Sequence, residues 1–258
     1  MVTLIEAVIL AIIQGLTEWL PVSSSGHLVI TQKLLGISPP LLFDAMLHVG
    51  TVVVVLFVFR KDIWNILRAV AKREFDTPQG KLALYIIIGS VPIGVLGFVF
   101  SDFFEALFDN LPAVGLALLI TGCVLFVSEK KVGNRKIGIL DSVLVGLAQA
   151  AAIIPGISRS GVTVSAGLLR GIDKTTVFRY SFLLSVLPII GATLFELKDL
   201  STANVDIAQL FIGTFVSMVV GYVALKALRR VVISEKFHLF AYYCWAAGVL
   251  VIVFVLIQ

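Results

Sequence analysis

The stretch QGLTEWLPVSSSGH, residues 14–27, decides how this chain is built. An apolar run leads into it from Leu4, and another leaves it towards Leu35. Between them lie Gln14, Glu18, Pro21, Ser23, Ser24, Ser25 and His27. Proline ends a helix, and serines are good caps for the next one. The stretch therefore predicts two short apolar helices joined by a polar turn, rather than one long helix.

The rest of the chain says where such a break must sit. Of 258 residues, 59% are of apolar types and 14% are charged, against roughly 45–50% and 25% in ordinary soluble domains. The mean hydropathy is +1.06. A chain of this length cannot hide so much apolar surface in one core, so it belongs in a bilayer. Disorder, a nucleic-acid-binding domain and a small disulfide scaffold are excluded. Cys123 and Cys244 lie far apart in apolar runs and read as small packing residues. The first Lys or Arg is Lys33, so no basic segment of a cleavable signal peptide is visible.

A spanning helix needs about 20 mostly apolar residues. Six runs qualify, at about 41–59, 82–100, 112–128, 177–197, 208–225 and 239–257. The stretch 60–81 holds six basic residues, while 129–138 (with Lys130 and Lys131) and 226–237 hold four each. The stretch 101–111 has none, and 198–207 has only Lys198. The excess of basic residues marks cytoplasmic loops, so the net charge of +4 is a topology signal and not a nucleic-acid patch. Following the chain through these sides puts both termini outside.

Two pieces remain, 1–40 and 139–176. Each has two apolar stretches broken by a polar turn, the second at PGISRSGVT, residues 155–163. Two full spans per piece would satisfy the charge rule as well, but the short arms and polar tips favour re-entrant hairpins. Glu6, Gln14, Ser23, Ser25 and Gly26 align with Asp141, Gln149, Ser158, Ser160 and Gly161 at one constant offset of 135. Three spans separate the copies, so the second is inverted, a pattern known from transporters with a site between the repeats. The expected fold is all-α: a polytopic integral membrane protein with six spanning helices and two re-entrant helix–loop–helix hairpins in an inverted-topology repeat. It forms a single membrane domain, residues 1–258, with pseudo-repeats at about 1–128 and 136–258.

Polar groups inside a bilayer are expensive and mark function. Gln14 and Glu18 share a helix face. Ser23, Ser24 and Ser25 stand at the start of the next helix, whose free N–H groups point at whatever lies in front. Gly26 admits close backbone approach, and His27 follows. The second tip adds Ser158, Arg159, Ser160 and Thr163. Serine runs at helix starts often serve only as caps, and Glu18 with Arg159 could simply pair. It is their co-occurrence that points to a phosphate site: an Arg fork, two helix N-termini and many hydroxyls. Diphosphate suits this array better than a carboxylate. Glu18 then either holds a divalent cation that bridges to phosphate or orients or deprotonates His27 or a serine. Asp44 and His48, four apart, either support the site from behind or pair along their own helix.

At these residues the sequence resembles the undecaprenyl-diphosphatase family, the bacitracin-resistance type of integral membrane phosphatase. QGLTEWLPVSSSGH is similar to its acidic segment and PGISRSGVT to its arginine loop, while Phe43-Asp44 with His48, Gly50 and Thr51 also fits. The resemblance covers essentially the whole chain. It implies removal of the terminal phosphate of a C55 polyprenyl diphosphate in the plasma membrane, a site open to the outer face, and dependence on a divalent cation such as Mg²⁺ or Ca²⁺. By the same resemblance Glu18 is the essential acid and tentative metal ligand. Ser24 and His27 are candidates for nucleophile and acid–base, in an order it does not settle. Arg159 and Thr163 bind phosphate. Gln14 stands where many relatives have Glu, which weakens a two-carboxylate metal site. The remaining polar tip residues, Gln14, Ser23, Ser25, Gly26, Ser158 and Ser160, are expected to line the substrate. The expected partners are the lipid, the bilayer and a second copy in a homodimer that the sequence permits. The rival reading is a transporter or flippase of an anionic lipid or phosphate compound, and an anion-binding scaffold is a weaker third.

Overall fold

The structure, a computed structural model, describes residues 2–128, 133–196, 206–233 and 236–257. In chain order its helices are α1 (Leu4–Trp19), α2 (Ser24–Leu35), α3 (Leu41–Val58), α4 (Arg60–Ala71), α5 (Pro78–Val99), α6 (Ser101–Phe108), α7 (Leu111–Ser128), α8 (Ile139–Ala151), α9 (Arg159–Leu169), α10 (Lys174–Glu196), α11 (Ile207–Ile233) and α12 (Leu239–Ile257). Among the described residues six helices are long and apolar enough to cross a membrane: α3, α5, α7, α10, α11 and α12. The fold is all-α, as expected.

Three stretches expected as polar connections are helical instead. Arg60–Ala71 forms α4, Ser101–Phe108 forms α6, and α11 runs on through Lys226, Arg229 and Arg230. A search for apolar runs misses such segments because they are amphipathic, with charged side chains (basic in α4 and α11, acidic in α6) reaching from the end of a span towards water. Lys130, Lys131 and Lys198 lie outside the described residues.

The two hairpins are α1–α2 and α8–α9. Their arms have 16, 12, 13 and 11 residues. At 1.5 Å per residue even the longest covers only about 24 Å, short of the roughly 30 Å hydrocarbon core, consistent with re-entry. The hairpins share their bonding at the offset of 135. Thr3 N–H donates to Glu6 Oε2 at 2.6 Å, and Gly138 N–H donates to Asp141 Oδ2 at 3.0 Å. Ser23 Oγ accepts from Gly26 N–H, and Ser158 Oγ from Gly161 N–H, both at 3.2 Å. The Ser23–Ser25 and Ser158–Ser160 hydroxyl pairs are each 3.3 Å apart. The repeat read from five aligned residues is thus also a repeat of hydrogen bonds.

The two tips meet. Gly156 N–H donates to Ser23 Oγ at 3.0 Å, and Ser160 Oγ donates to Leu20 C=O at 3.3 Å. Each tip is held by a spanning helix: Thr121 of α7 donates to Gly156 C=O at 2.9 Å, and Cys244 of α12 donates to Pro21 C=O at 3.5 Å. Ser23 holds φ at 70°, a region that non-glycine residues avoid. Around the tips α1 packs along α11, α8 along α5, and α7 along α12, while α3 touches both α10 and α11. Small residues allow this. A Cβ at Gly50 of α3 would overlap Ser217 and Thr214 of α11, and one at Gly146 of α8 would overlap the backbone of Gly89 in α5. An aromatic core made by Trp19, Phe59, Phe178 and Phe182 closes the bundle below the first tip.

The basic residues gather at one end of the bundle. There Asp141 takes bonds from Arg135 at 2.6 Å and Arg170 at 2.8 Å, and Asp62 takes one from Arg179 at 2.6 Å. Asp141 lies at the start of the α8 arm. Burial would raise its carboxyl, but Arg170, Gly138 N–H and Arg135 together hold it below the usual range.

Candidate active site at the hairpin tips

The site is assembled from five helices, four of which bring polar groups to Glu18. Gln14 and Glu18 lie one turn apart at the end of α1, so one donates to the other: Gln14 Nε2 to Glu18 Oε2 at 3.0 Å. The chain turns at Pro21, and Ser24, the first residue of α2, donates to the same Oε2 at 2.6 Å. Arg159, the first residue of α9, brings Nη1 to 3.5 Å from Glu18 Oε1. His48 of α3 brings Nε2 to 3.4 Å from Oε2. Glu18 is 6% exposed and Gln14 fully buried, so the carboxylate is reached only through these partners.

Arg159 is the member with capacity to spare. Its Nε and Nη1 have no hydrogen-bond acceptor, and buried donors without partners favour an incoming anion. Glu18, Trp19, Arg159, Ser160, Ser181, Phe182 and Ser185 surround a cavity of about 10 Å³, room for a single water. The floor comes from α10, whose Ser181 and Ser185 are one turn apart. Thr163 donates to Arg159 C=O at 2.7 Å and lies 2.6 Å from Ser181 Oγ, which fixes the α9 start against α10.

The residues singled out in the sequence therefore separate into groups. Gln14, Glu18, Ser24, Arg159 and Ser160 converge. Ser23 and Ser158 are used as helix caps, and Ser25 and Gly26 support the first of them. His27 turns elsewhere. Its Nδ1 donates to Ser23 C=O at 2.7 Å, which leaves Nε2 to accept from Tyr243 Oη at 2.7 Å, with the rings stacked at 5.6 Å. Among the described residues it bonds neither Glu18 nor Ser24. His48 takes the place beside Glu18 that the sequence left between two readings. Its Nδ1 donates to Asp44 C=O at 2.8 Å, and both Asp44 oxygens accept from Gln32 Nε2, at 3.0 and 2.9 Å. Ser181, Ser185 and Tyr243 were missed. Two serines one turn apart in an apolar span were the only local signal for the first pair, and Tyr243 had none.

The donor set does not fit a tightly held metal. Gln14, Ser24 and Arg159 approach Glu18 as hydrogen-bond donors or a cation, and among the described residues no three His, Cys, Asp or Glu side chains group as ligands. Hard divalent cations need several free oxygens.

An α-helical, multi-pass membrane protein with a buried carboxylate, a serine and an anion-seeking arginine between two short-armed helical hairpins is a recognisable class. The chain belongs to the family described as bacitracin resistance protein BacA, whose family model matches residues 7–250. Among curated proteins it is 41% identical to the undecaprenyl-diphosphatase of Carboxydothermus hydrogenoformans, covering 96% of each chain. It is 44% identical to the one of Halothermothrix orenii, again over 96% of both. It is 38% identical to the one of Korarchaeum cryptofilum, over 96% of this chain and 97% of that one.

Proposed function

We propose that this chain is an undecaprenyl-diphosphatase, hydrolysing the lipid diphosphate to its monophosphate and inorganic phosphate. The observation that carries the mechanism is the 2.6 Å bond from Ser24 Oγ to Glu18 Oε2, with Arg159 at the other carboxylate oxygen. Glu18 takes the Ser24 proton as Oγ attacks the terminal phosphorus. The Oγ–P bond forms, the bridging P–O bond breaks, and the lipid monophosphate leaves. Glu18 passes that proton to the departing monophosphate; water then attacks the phosphoserine, the regenerated carboxylate takes a proton from the water and returns it to Ser24 Oγ as the P–Oγ bond breaks, and inorganic phosphate departs. Arg159 answers the charge on the transferred group. Gln14 and His48 hold the carboxylate in place. A transporter on the same scaffold has no use for a serine bonded to a buried carboxylate, so we favour the enzyme.

Any Mg²⁺ or Ca²⁺ requirement is assigned to the diphosphate, which brings the cation with it, because the protein donors around Glu18 make no cage. The site is proposed to open to the outer face, with both termini on that side. Two features support this. Basic residues cluster at the opposite end, and a polar thread runs from Glu18 through His48 to Asp44 in the first turn of α3 and Gln32 near the end of α2, away from them. With the two native cysteines replaced, a membrane-impermeant maleimide is expected to label Asp206→Cys from outside and spare Lys72→Cys. The reverse pattern overturns the orientation.

The nucleophile is tested by quenching the reaction on substrate carrying a labelled terminal phosphate. Wild type is expected to retain acid-stable label, as phosphoserine does, and Ser24→Ala to retain none. Label that is acid-labile and survives in Ser24→Ala but not in His27→Ala assigns the attack to His27.

A further inference from the structure

We propose that α4 is a binding surface for anionic phospholipid headgroups at the basic end of the bundle. The helix has three sides. On the first, Ile63 and Ile66 pack against the main core, Ala69 is buried, and Asp62 is bonded to Arg179 of α10 at 2.6 Å. That side fixes α4 to the bundle. On the second, Trp64 and Leu67 lie about 60° apart around the axis and are 67% and 56% exposed. An exposed Trp and Leu on a short amphipathic helix belong at the boundary between acyl chains and headgroups. On the third, Lys61, Arg68 and Lys72 fall within about 40° of one another around the helix axis, and all three are exposed.

The charges on that third side have no internal answer. At the same end Arg135 and Arg170 share Asp141, Arg179 has Asp62, and Lys226 lies 4.3 Å from the Tyr222 ring. Lys61, Arg68 and Lys72 form no ion pair with a described residue. Beside them, Arg60, Lys61, Trp64 and Asn65 border a shallow, open depression at the start of α4. Arg60 is held at its edge by a 2.9 Å bond to Phe57 C=O and by its place 4.9 Å from the Phe57 ring. A basic row beside an apolar row on one exposed helix matches a ligand with a phosphate at one end and a hydrocarbon chain at the other. A zwitterionic headgroup carries its own ammonium and gains little from three lysine and arginine side chains. An anionic one gains from each.

The test uses the full chain, purified in detergent, stripped of lipid and titrated with phosphatidylglycerol or phosphatidylcholine, with bound lipid counted by native mass spectrometry. Phosphatidylglycerol is expected to bind at least about tenfold more tightly, and the difference is expected to shrink as salt rises. The variant K61Q/R68Q/K72Q is expected to lose that preference while binding phosphatidylcholine as before. Trp64→Ala, which keeps every charge, is expected to weaken both lipids. The control K136Q/K226Q, which removes cations elsewhere at the same end, is expected to change neither. Equal binding of the two lipids by wild type overturns the proposal. So does preference retained in the triple variant, preference lost equally in the control, or full binding by Trp64→Ala. Displacement of phosphatidylglycerol by millimolar inorganic phosphate also overturns it, since the site would then be one for free phosphate.

Discussion

Glu18→Gln is expected to lower kcat for release of phosphate from undecaprenyl diphosphate by about a thousandfold, with KM little changed. The substitution keeps the side chain's shape and an oxygen to accept from Ser24, which sits 2.6 Å away. It removes the ability to take the Ser24 proton in the transition state. The ground-state contacts from Gln14 and His48 are weakened rather than abolished, so the loss falls on the chemical step. Steady-state phosphate release from detergent-solubilised enzyme measures it, and a loss of under tenfold would remove Glu18 from the role of base. The same assay examines the cation. If it travels with the diphosphate, the Mg²⁺ concentration for half-maximal rate tracks the substrate concentration in wild type and in Glu18→Gln alike. A cation requirement independent of substrate concentration in wild type would place a ligand cage in the protein.

Arg159→Ala is expected to reduce kcat/KM by a factor of about 10³, and Arg159→Lys to recover only a small part of it. Two guanidinium nitrogens of Arg159 lack an acceptor. Lysine restores the charge there but not the fork that binds two phosphate oxygens at once. Alanine also leaves Glu18 as a buried carboxylate without its cation, which costs about 3–5 kcal/mol in comparable pairs. That structural effect can be separated from catalysis. The double variant Glu18→Gln/Arg159→Ala is expected to regain thermal stability relative to Arg159→Ala while staying inactive. Regained activity in the double variant would mean that Arg159 serves only to neutralise Glu18.

How far these residues were legible in the sequence follows from how far apart the interacting groups lie. Gln14, Glu18 and Ser24 occupy one helix end and the turn after it, so helical spacing and a proline stop were enough to bring them together. Arg159 lies far along the chain, yet the repeat placed it at a matching tip, and its approach to Glu18 was an open reading. His48 was visible only as a polar residue four after Asp44, and spacing on one helix does not say which other helix it faces. Ser181 and Ser185 looked like ordinary polar residues of a span until α10 closed the cavity. His27 illustrates the converse. It stands three residues after Ser24 and was grouped with the catalytic residues, but its ring stacks on Tyr243, more than two hundred residues away in the chain. The helix limits followed the same rule. Apolar runs located the six spans because a bilayer demands length and hydrophobicity, while α4, α6 and the end of α11 are amphipathic and escaped that criterion.

What the sequence by itself determined was the solvent, the number of spans and the two polar breaks. Each follows from local composition, because the hydrocarbon core tests every segment independently for length and for unsatisfied polar groups. What only the tertiary structure decided was which polar side chains share the interior. The bilayer is indifferent to how apolar helices are arranged beside one another. Their arrangement comes from close packing at small residues, as at Gly50 against α11 and Gly146 against α5, and from the hydrogen bonds that join Gly156 to Ser23 across the two tips. Those contacts set His48 and Arg159 on either side of Glu18 and turn His27 away from it.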